Sequence, residues 1–209
     1  MRLEKASSKA VKYACMKFHY AKRVPVARFA HSVFNNNGEW CGVIVYGSGA
    51  GNAVAKHFEM AQGQCCELVR VALNGKQETT SKALAISLKL LKKANPLLRL
   101  VYSYADVDQS HYGTIYQATN WMYLGQSEPY KGGFVINGKQ VHTRSASAKL
   151  KGKVCNLDNI RKYLDPRAEQ MISQGKRKYI QLFDKSLLPK YKELQQPYPK
   201  KNSPPEKEG

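Results

Sequence analysis

Between Cys65 and Tyr104 the chain changes its hydrophobic period twice. Cys65–Leu73 reads CCELVRVAL, compact and β-branched enough for a central strand. Lys82–Lys93 then carries Leu84, Leu88 and Leu91 at i, i+4 and i+7, with hydroxyls at Thr79–Ser81 to cap it and Pro96 beyond its end. Leu98–Tyr104 returns to strand character. A strand, a capped helix and a strand in this order, with further strands on either side, point to an α/β (α+β) chain whose mixed central sheet is flanked by helices.

The flanking segments fill in that plan. Ser8 is placed to cap a first helix carrying Val11, Ala14, Cys15 and Phe18, which Pro25 cannot extend. Arg28–Phe34 and Trp40–Tyr46 read as two strands joined across NNNG, and Phe134–Ile136 with Gln140–His142 as a hairpin across Asn137-Gly138. Gly113–Tyr123 is expected to be helical, with Ile115, Ala118 and Met122 on one stripe. GSGAG at Gly47–Gly51 matches neither phosphate-binding glycine pattern and reads as a lid or turn.

After Thr143 the charge density doubles. Arg144–Gly209 holds 16 basic and 7 acidic residues, against 18 and 8 in the first 143. We therefore expect a domain over residues 1–143, a basic helical extension over 144–194 with Asn159–Ser173 helical, and a disordered Pro, Lys and Glu tail over 195–209. A net charge of +19 makes polyanions, nucleic acid above all, the natural partner. Five cysteines without CxxC spacing argue against a disulfide framework or a zinc ribbon. No apolar run is long enough to span a bilayer and the first residues lack a leader, so a cytoplasmic protein without membrane attachment is expected.

The chemistry concentrates after Leu98–Val101, in SYADVDQSHYGTIYQATNW from Ser103 to Trp121. Ligands of α/β sheets bind beyond the carboxyl ends of strands. There Asp106 can take a proton from an exocyclic amine, Ser103 can hydrogen-bond the same substrate, and Tyr104 or Tyr112 can stack on a base. Asp108 and Ser110 fit the structural role of capping the next helix better. Arg70, inside an otherwise apolar strand, needs a partner such as Asp106, Glu67 or a bound anion. Thr79–Lys82 offers free amides, hydroxyls and a lysine to a phosphate, or a simple cap. His19, Tyr20 and Asp106 are a mixed nitrogen and oxygen set of the kind that suits iron, if the fold brings them together. Cys65 and Cys66 sit in an apolar strand, without a histidine base nearby in sequence, and read as core.

The order of elements, with IYQATNWMYLG in the helix before the final hairpin, resembles the GNAT acyltransferase superfamily. FHYAKRVP, CELVRVAL and LVYSYADVDQSHYGTIYQATNW together resemble the Mom proteins of Mu-like phages, a GNAT-like family that modifies adenine in DNA; the likeness covers roughly Lys17–Thr143. The resemblance implies catalytic roles for His19, Tyr20, Arg70, Ser103, Asp106 and Tyr116, with Tyr116 as general acid toward a departing thiolate. It also implies an acyl-CoA-type donor held at Val71, Leu73, Thr80, Ser81 and Lys82. One departure stands out: where GNAT enzymes carry an R/QxxGxG/A turn, NGKQETTSKA supplies only Gly75.

The function implied is transfer of a methylcarbamoyl-type group to the N6 amine of adenine in DNA, protecting phage DNA from restriction. The alternatives are an N-acyltransferase acting on a small-molecule, protein or RNA amine, and a catalytically silent nucleic-acid-binding protein on the same scaffold. Double-stranded DNA is the partner implied, with the state, monomer or homodimer, left open. Lys176, Arg177 and Lys178 are expected to touch phosphates, together with Lys22, Arg23 and Arg28 beside the pocket.

Overall fold

The structure is a computed structural model that describes residues 1–48 and 53–200. The chain divides into two compact units. One comprises Met1–Ala105, Gly113–Gly125 and the chain from Lys178; the other comprises Asp106–Tyr112 and Gln126–Arg177. In chain order the elements are β1 (Arg2–Lys5), α1 (Ser8–Lys17), β2 (Phe29–Phe34), β3 (Trp40–Gly47), α2 (Ala53–His57), β4 (Cys65–Leu73), α3 (Thr80–Ala94), β5 (Leu100–Asp106), α4 (Thr114–Gln117) and β6 (Met122–Gln126). They continue with β7 (Tyr130–Ile136), β8 (Lys139–His142), α5 (Thr143–Lys149), α6 (Leu157–Tyr163), β9 (Glu169–Ser173), β10 (Lys176–Leu182) and α7 (Leu188–Leu194).

A seven-stranded mixed sheet runs β1-β2-β3-β4-β5-β10-β6. β1 to β4 are antiparallel neighbours, whereas β4 and β5 are parallel, because α3 carries the chain back between them. Thr79 starts α3 by accepting the Lys82 amide, and the helix buries Ala83, Leu84, Ser87, Leu88 and Leu91 on the stripe its leucine spacing sets. Leu84 and Leu91 are each worth roughly 1.5–3 kcal/mol of burial. α1 packs Val11, Ala14 and Cys15 against Val43, Val45 and Ala72, its cap being Ser7 rather than Ser8. The second unit carries a three-stranded sheet, β8-β7-β9, over a core of Phe134, Ile136, Ala146, Leu150, Ile160 and Ala168.

Several expectations are corrected. Gly113–Tyr123 is helical only to Gln117. The Trp121 amide closes back on the Tyr116 carbonyl, Asn120 takes a φ of 58°, and MYLG becomes β6. Residues 144–194 do not form a helical extension. The residue before a proline disfavours helix, so Asp165-Pro166 marks where α6 cannot continue, and the segment beyond is β9. GKRKY is strand β10, inserted between β5 and β6. The contacts accordingly divide the chain at other places than Thr143. Residues 195–200 are held: the Gln196 amide donates to the Tyr123 carbonyl and the Tyr198 hydroxyl to that of Trp121. The expected tail over 201–209, and residues 49–51 of the GSGAG stretch, lie outside the described residues. No helix among the described residues is long and apolar enough to cross a membrane.

Candidate active site

β4 and β5 pair only through Cys65–Leu100, Cys66–Val101 and Glu67–Tyr102, although β4 runs on to Leu73 and β5 to Asp106. Past Glu67 the two strands part, leaving an edge of β4 without a strand partner. One side chain bridges the start of this opening. The buried Ser103 hydroxyl donates to the Leu68 carbonyl at 2.8 Å and lies 2.8 Å from the Tyr116 hydroxyl. A serine has one proton to give. With that proton on Leu68, the Tyr116 phenol is the donor to Ser103. Tyr116 is 8% exposed, its ring 5.1 Å from Trp121 and 5.0 Å from Tyr179. Burial pushes its phenol up to about 12, partly offset by the Ser103 bond, with Tyr20 and Glu67 adding to the rise. Tyr116 is thus a protonated acid at any ordinary pH, on the short helix α4.

Arg70 follows a β-bulge. Tyr46 pairs with Leu68 and Val45 with Arg70, passing over Val69. Its Nη1 donates to the Val69 carbonyl, while Nε is buried without a partner. Nε thus makes no hydrogen bond to either of the expected carboxylates, Asp106 and Glu67. Of the alternatives, a guanidinium aimed at a bound anion fits the orphaned Nε.

Asp106 belongs to the second unit and caps the 3-10 turn Val107–Gln109 by accepting the Asp108 amide. Asp108 itself holds the Ser173 hydroxyl at 2.6 Å and the Gln174 amide at 2.9 Å, so its role is structural, as expected, with different partners. His19 accepts the Ala21 amide on Nδ1 and stacks on Tyr20 at 4.4 Å. Among the described residues no group of three or more His, Cys, Asp and Glu side chains is placed to hold a metal. The iron expected at His19, Tyr20 and Asp106 therefore has no support among the described residues, and His19 Nδ1 and the Asp106 carboxylate each accept a local backbone amide. All five cysteines are free thiols, and burial pushes Cys66 up to about 12, far from a thiolate nucleophile.

The start of α3 has the donor set for a phosphate in part. Thr79 is spent on the Lys82 amide and Thr80 takes the Gln77 amide, which leaves the first-turn amides of Thr80 and Ser81, the Ser81 hydroxyl and the Lys82 ammonium. Gln77 Oε1 is buried there without a partner. Val71 and Leu73 lie on the β4 stretch that β5 leaves unpaired.

The basic triplet of β10 is not a single surface. Arg177 donates to the His111 carbonyl at 2.7 Å and covers the Tyr112 ring at 4.6 Å. Lys178 stands 2.9 Å from His57 Nε2 and 4.5 Å above Phe58, and burial lowers its pKa. Lys22 donates to the Lys17 carbonyl at the end of α1; Arg23, Arg28 and Lys176 are at the surface or partly so.

Two features escaped the sequence reading. Ser87 Oγ lies 2.8 Å from both His31 Nδ1 and the Tyr46 hydroxyl, a buried polar chain across β2, α3 and β3. Burial lowers His31 and raises Tyr46, the latter within the electrostatic reach of Tyr116. The signal available was a serine on the apolar stripe of α3. The other is Tyr179, its ring tilted against both Tyr116 and Tyr123 at 5.0 and 5.1 Å, which the charge of its neighbours concealed.

A mixed sheet whose parallel centre opens past Glu67 is a fold shared with N-acetyltransferases of known structure. A variant of the spermidine N-acetyltransferase SpeG from Vibrio cholerae superposes with a TM-score of 0.50 at 9% identity, covering 89% of this chain and 95% of that one. A second variant of that enzyme gives 0.49 at 10% identity over 91% and 99%. A Bacillus subtilis acetyltransferase in complex with CoA gives 0.47 at 10% over 87% and 98%. The Mom protein family matches residues 1–200, and the chain belongs to that family. No curated protein matches it.

Proposed function

We propose that the chain is a DNA modification enzyme that transfers a methylcarbamoyl-type, acyl-like group to the N6 amine of adenine, protecting phage DNA from host restriction. The observation that carries the reading is the Mom family match over residues 1–200, on an acetyltransferase fold that supports acyl transfer. An acyl-CoA-type donor, when bound, supplies an activated carbonyl. The amides of Thr80 and Ser81 with the Lys82 ammonium would hold its phosphates, and the open edge of β4 at Val71 and Leu73 its arm.

The residues of the chain then divide the proton work. Tyr116 holds a proton on a buried phenol, and its hydroxyl must turn from Ser103 to deliver that proton to a leaving thiolate. The Arg70 guanidinium, whose buried Nε has no hydrogen-bond partner among the described residues, is available to an anionic group. For Asp106 the role of accepting the amine proton rests on the family resemblance alone; its carboxylate accepts the Asp108 amide at the end of β5. Nucleoside mass spectrometry on DNA from cells expressing the chain tests this reading. An added mass on deoxyadenosine supports it and identifies the group; an unmodified adenine pool despite soluble expression overturns it, and leaves acylation of another amine as the function to pursue.

A further inference from the structure

The turn between α5 and α6 gathers charge that the rest of the structure does not use. Lys149, Lys151 and Lys153 alternate along it, all exposed, while Leu150 between them is anchored in the core of the second unit at 2% exposure. Two consecutive left-handed residues, Lys151 at φ 47° and Gly152 at φ 89°, reverse the chain. A Cβ on Gly152 would meet nothing within 4 Å, so the tip stands clear of other atoms. The turn is built rather than loose: the Lys153 amide donates to the Leu150 carbonyl, and Asn156 caps α6 by accepting the Asn159 amide at 2.8 Å. Beside it, Tyr163 is 47% exposed, with the Lys153 ammonium 4.8 Å and the Lys162 ammonium 5.4 Å from its ring centre.

None of these four lysines forms an ion pair among the described residues. Asp158 is the acid on the exposed side of α6, and Asp165 is spent on the amides of Asn137 and Arg167. By contrast, Lys22, Arg177 and Lys178 are each within hydrogen-bond distance of another group of the chain, the Lys17 carbonyl, the His111 carbonyl and His57 Nε2. Ammonium groups alternating on a rigid, protruding turn, interleaved with an exposed aromatic ring, match a polymer that presents one negative charge about every 1.7 Å.

We infer that the α5–α6 turn, through Lys149, Lys151, Lys153 and Lys162, is the surface that docks the phosphate backbone of duplex DNA. The inference rests on the DNA reading above. Phosphate contacts carry no base information, so the turn binds all sequences alike and leaves selection of the base to the pocket.

The test is fluorescence anisotropy of the full chain with a labelled duplex of arbitrary sequence, over a salt series. The chain is compared with Lys149→Ala/Lys151→Ala/Lys153→Ala and with a charge-matched control, Lys12→Ala/Lys185→Ala/Lys192→Ala. Each lost phosphate contact should lower the slope of log K against log salt by about 0.9 in the turn variant, on every duplex, with the control unchanged. Far-UV circular dichroism and the melting temperature should stay with the parent chain, since the three side chains are exposed; a single Lys151→Gln variant, one contact down, gives a second reading. An unchanged slope in the turn variant, or an equal fall in the control, overturns the inference while leaving DNA as substrate. A parent chain that binds no duplex overturns the DNA reading as well. Parent binding to phosphatidylserine vesicles but not to duplex, lost in the turn variant, overturns the inference in favour of a lipid surface.

Discussion

Ser103 separates the Leu68 carbonyl from the Tyr116 phenol by two hydrogen bonds of 2.8 Å each, and its single proton fixes the direction of both. The tyrosine that the family resemblance names as an acid therefore donates its proton to a serine.

Tyr116→Phe should lower modification about 100- to 10,000-fold, the usual worth of a positioned acid. It should cost only about 1 kcal/mol of stability, because the lost bond is a neutral one. Ser103→Ala strands two buried groups and should cost about 1–3 kcal/mol. Urea midpoints of the single and double variants, set out as a double-mutant cycle, should give a coupling of about 1 kcal/mol or more. Additive effects would show that the two hydroxyls do not meet.

Arg70→Met should keep the parent stability within about 1 kcal/mol, since a half-buried guanidinium with an orphaned Nε gives little to the fold. Activity should fall, chiefly through KM for whichever anionic reactant the guanidinium meets. A loss of about 3–5 kcal/mol would instead reveal a buried carboxylate partner.

Alkali should weaken the fold through its buried tyrosines. Tyr116 is raised to about 12 by burial, against roughly 10 in an unfolded chain, so the folded state holds the proton more tightly. That contribution is whole below about pH 10 and declines as pH climbs toward 12, by up to about 3 kcal/mol. Tyr46 and Tyr102 are displaced the same way by burial. Urea midpoints followed across this window should fall less steeply in Tyr116→Phe than in the parent.

Gly113→Ala should be far worse than Gly138→Ala. Both glycines have left-handed φ, 74° and 69°, which an alanine tolerates at about 1–2 kcal/mol. At Gly113 the new Cβ would also come within 2.4 Å of the Tyr179 ring, whereas at Gly138 it meets open space. Overpacking adds about 1–3 kcal/mol, so calorimetry should show Gly113→Ala melting roughly 5–15 °C below the parent. Equal melting points for the two variants would mean that the ring simply moves aside.

What the sequence disclosed followed from local rules. The runs of β4 and α3 carry their own periods and caps, and each was placed within a few residues. Where a tertiary contact decides the matter, pattern misled. Ile115, Ala118 and Met122 fall on a helical stripe, yet the closure of Trp121 on Tyr116 ends the helix and turns the last of them into a strand. The charges of Lys176–Lys178 suggested a surface, but alternation along β10 buries Tyr179 on one side and half-buries Lys178 on the other. Ser103 and Tyr116 were named through family resemblance; no spacing rule joins residues on a strand and a later helix. Ser87 shows the reverse, a polar residue on an apolar stripe whose partners His31 and Tyr46 only the folded sheet supplies.

β6 and β10 are neighbours in the large sheet, and at their ends the Ser127 amide meets the Lys176 carbonyl at 3.0 Å. Residues 128–175 thus leave and re-enter at nearly one point, the geometry of a cassette. A gene with that stretch replaced by a tight turn would still encode a continuous β6–β10 hairpin. The excised cassette would nevertheless take with it Ser173 and Gln174, the anchors of Asp108, and so release the loop that begins at Asp106. Surgery at this hinge of the gene therefore separates two properties that the intact chain keeps together, the ability to fold its main sheet and the ability to hold Asp106 in place.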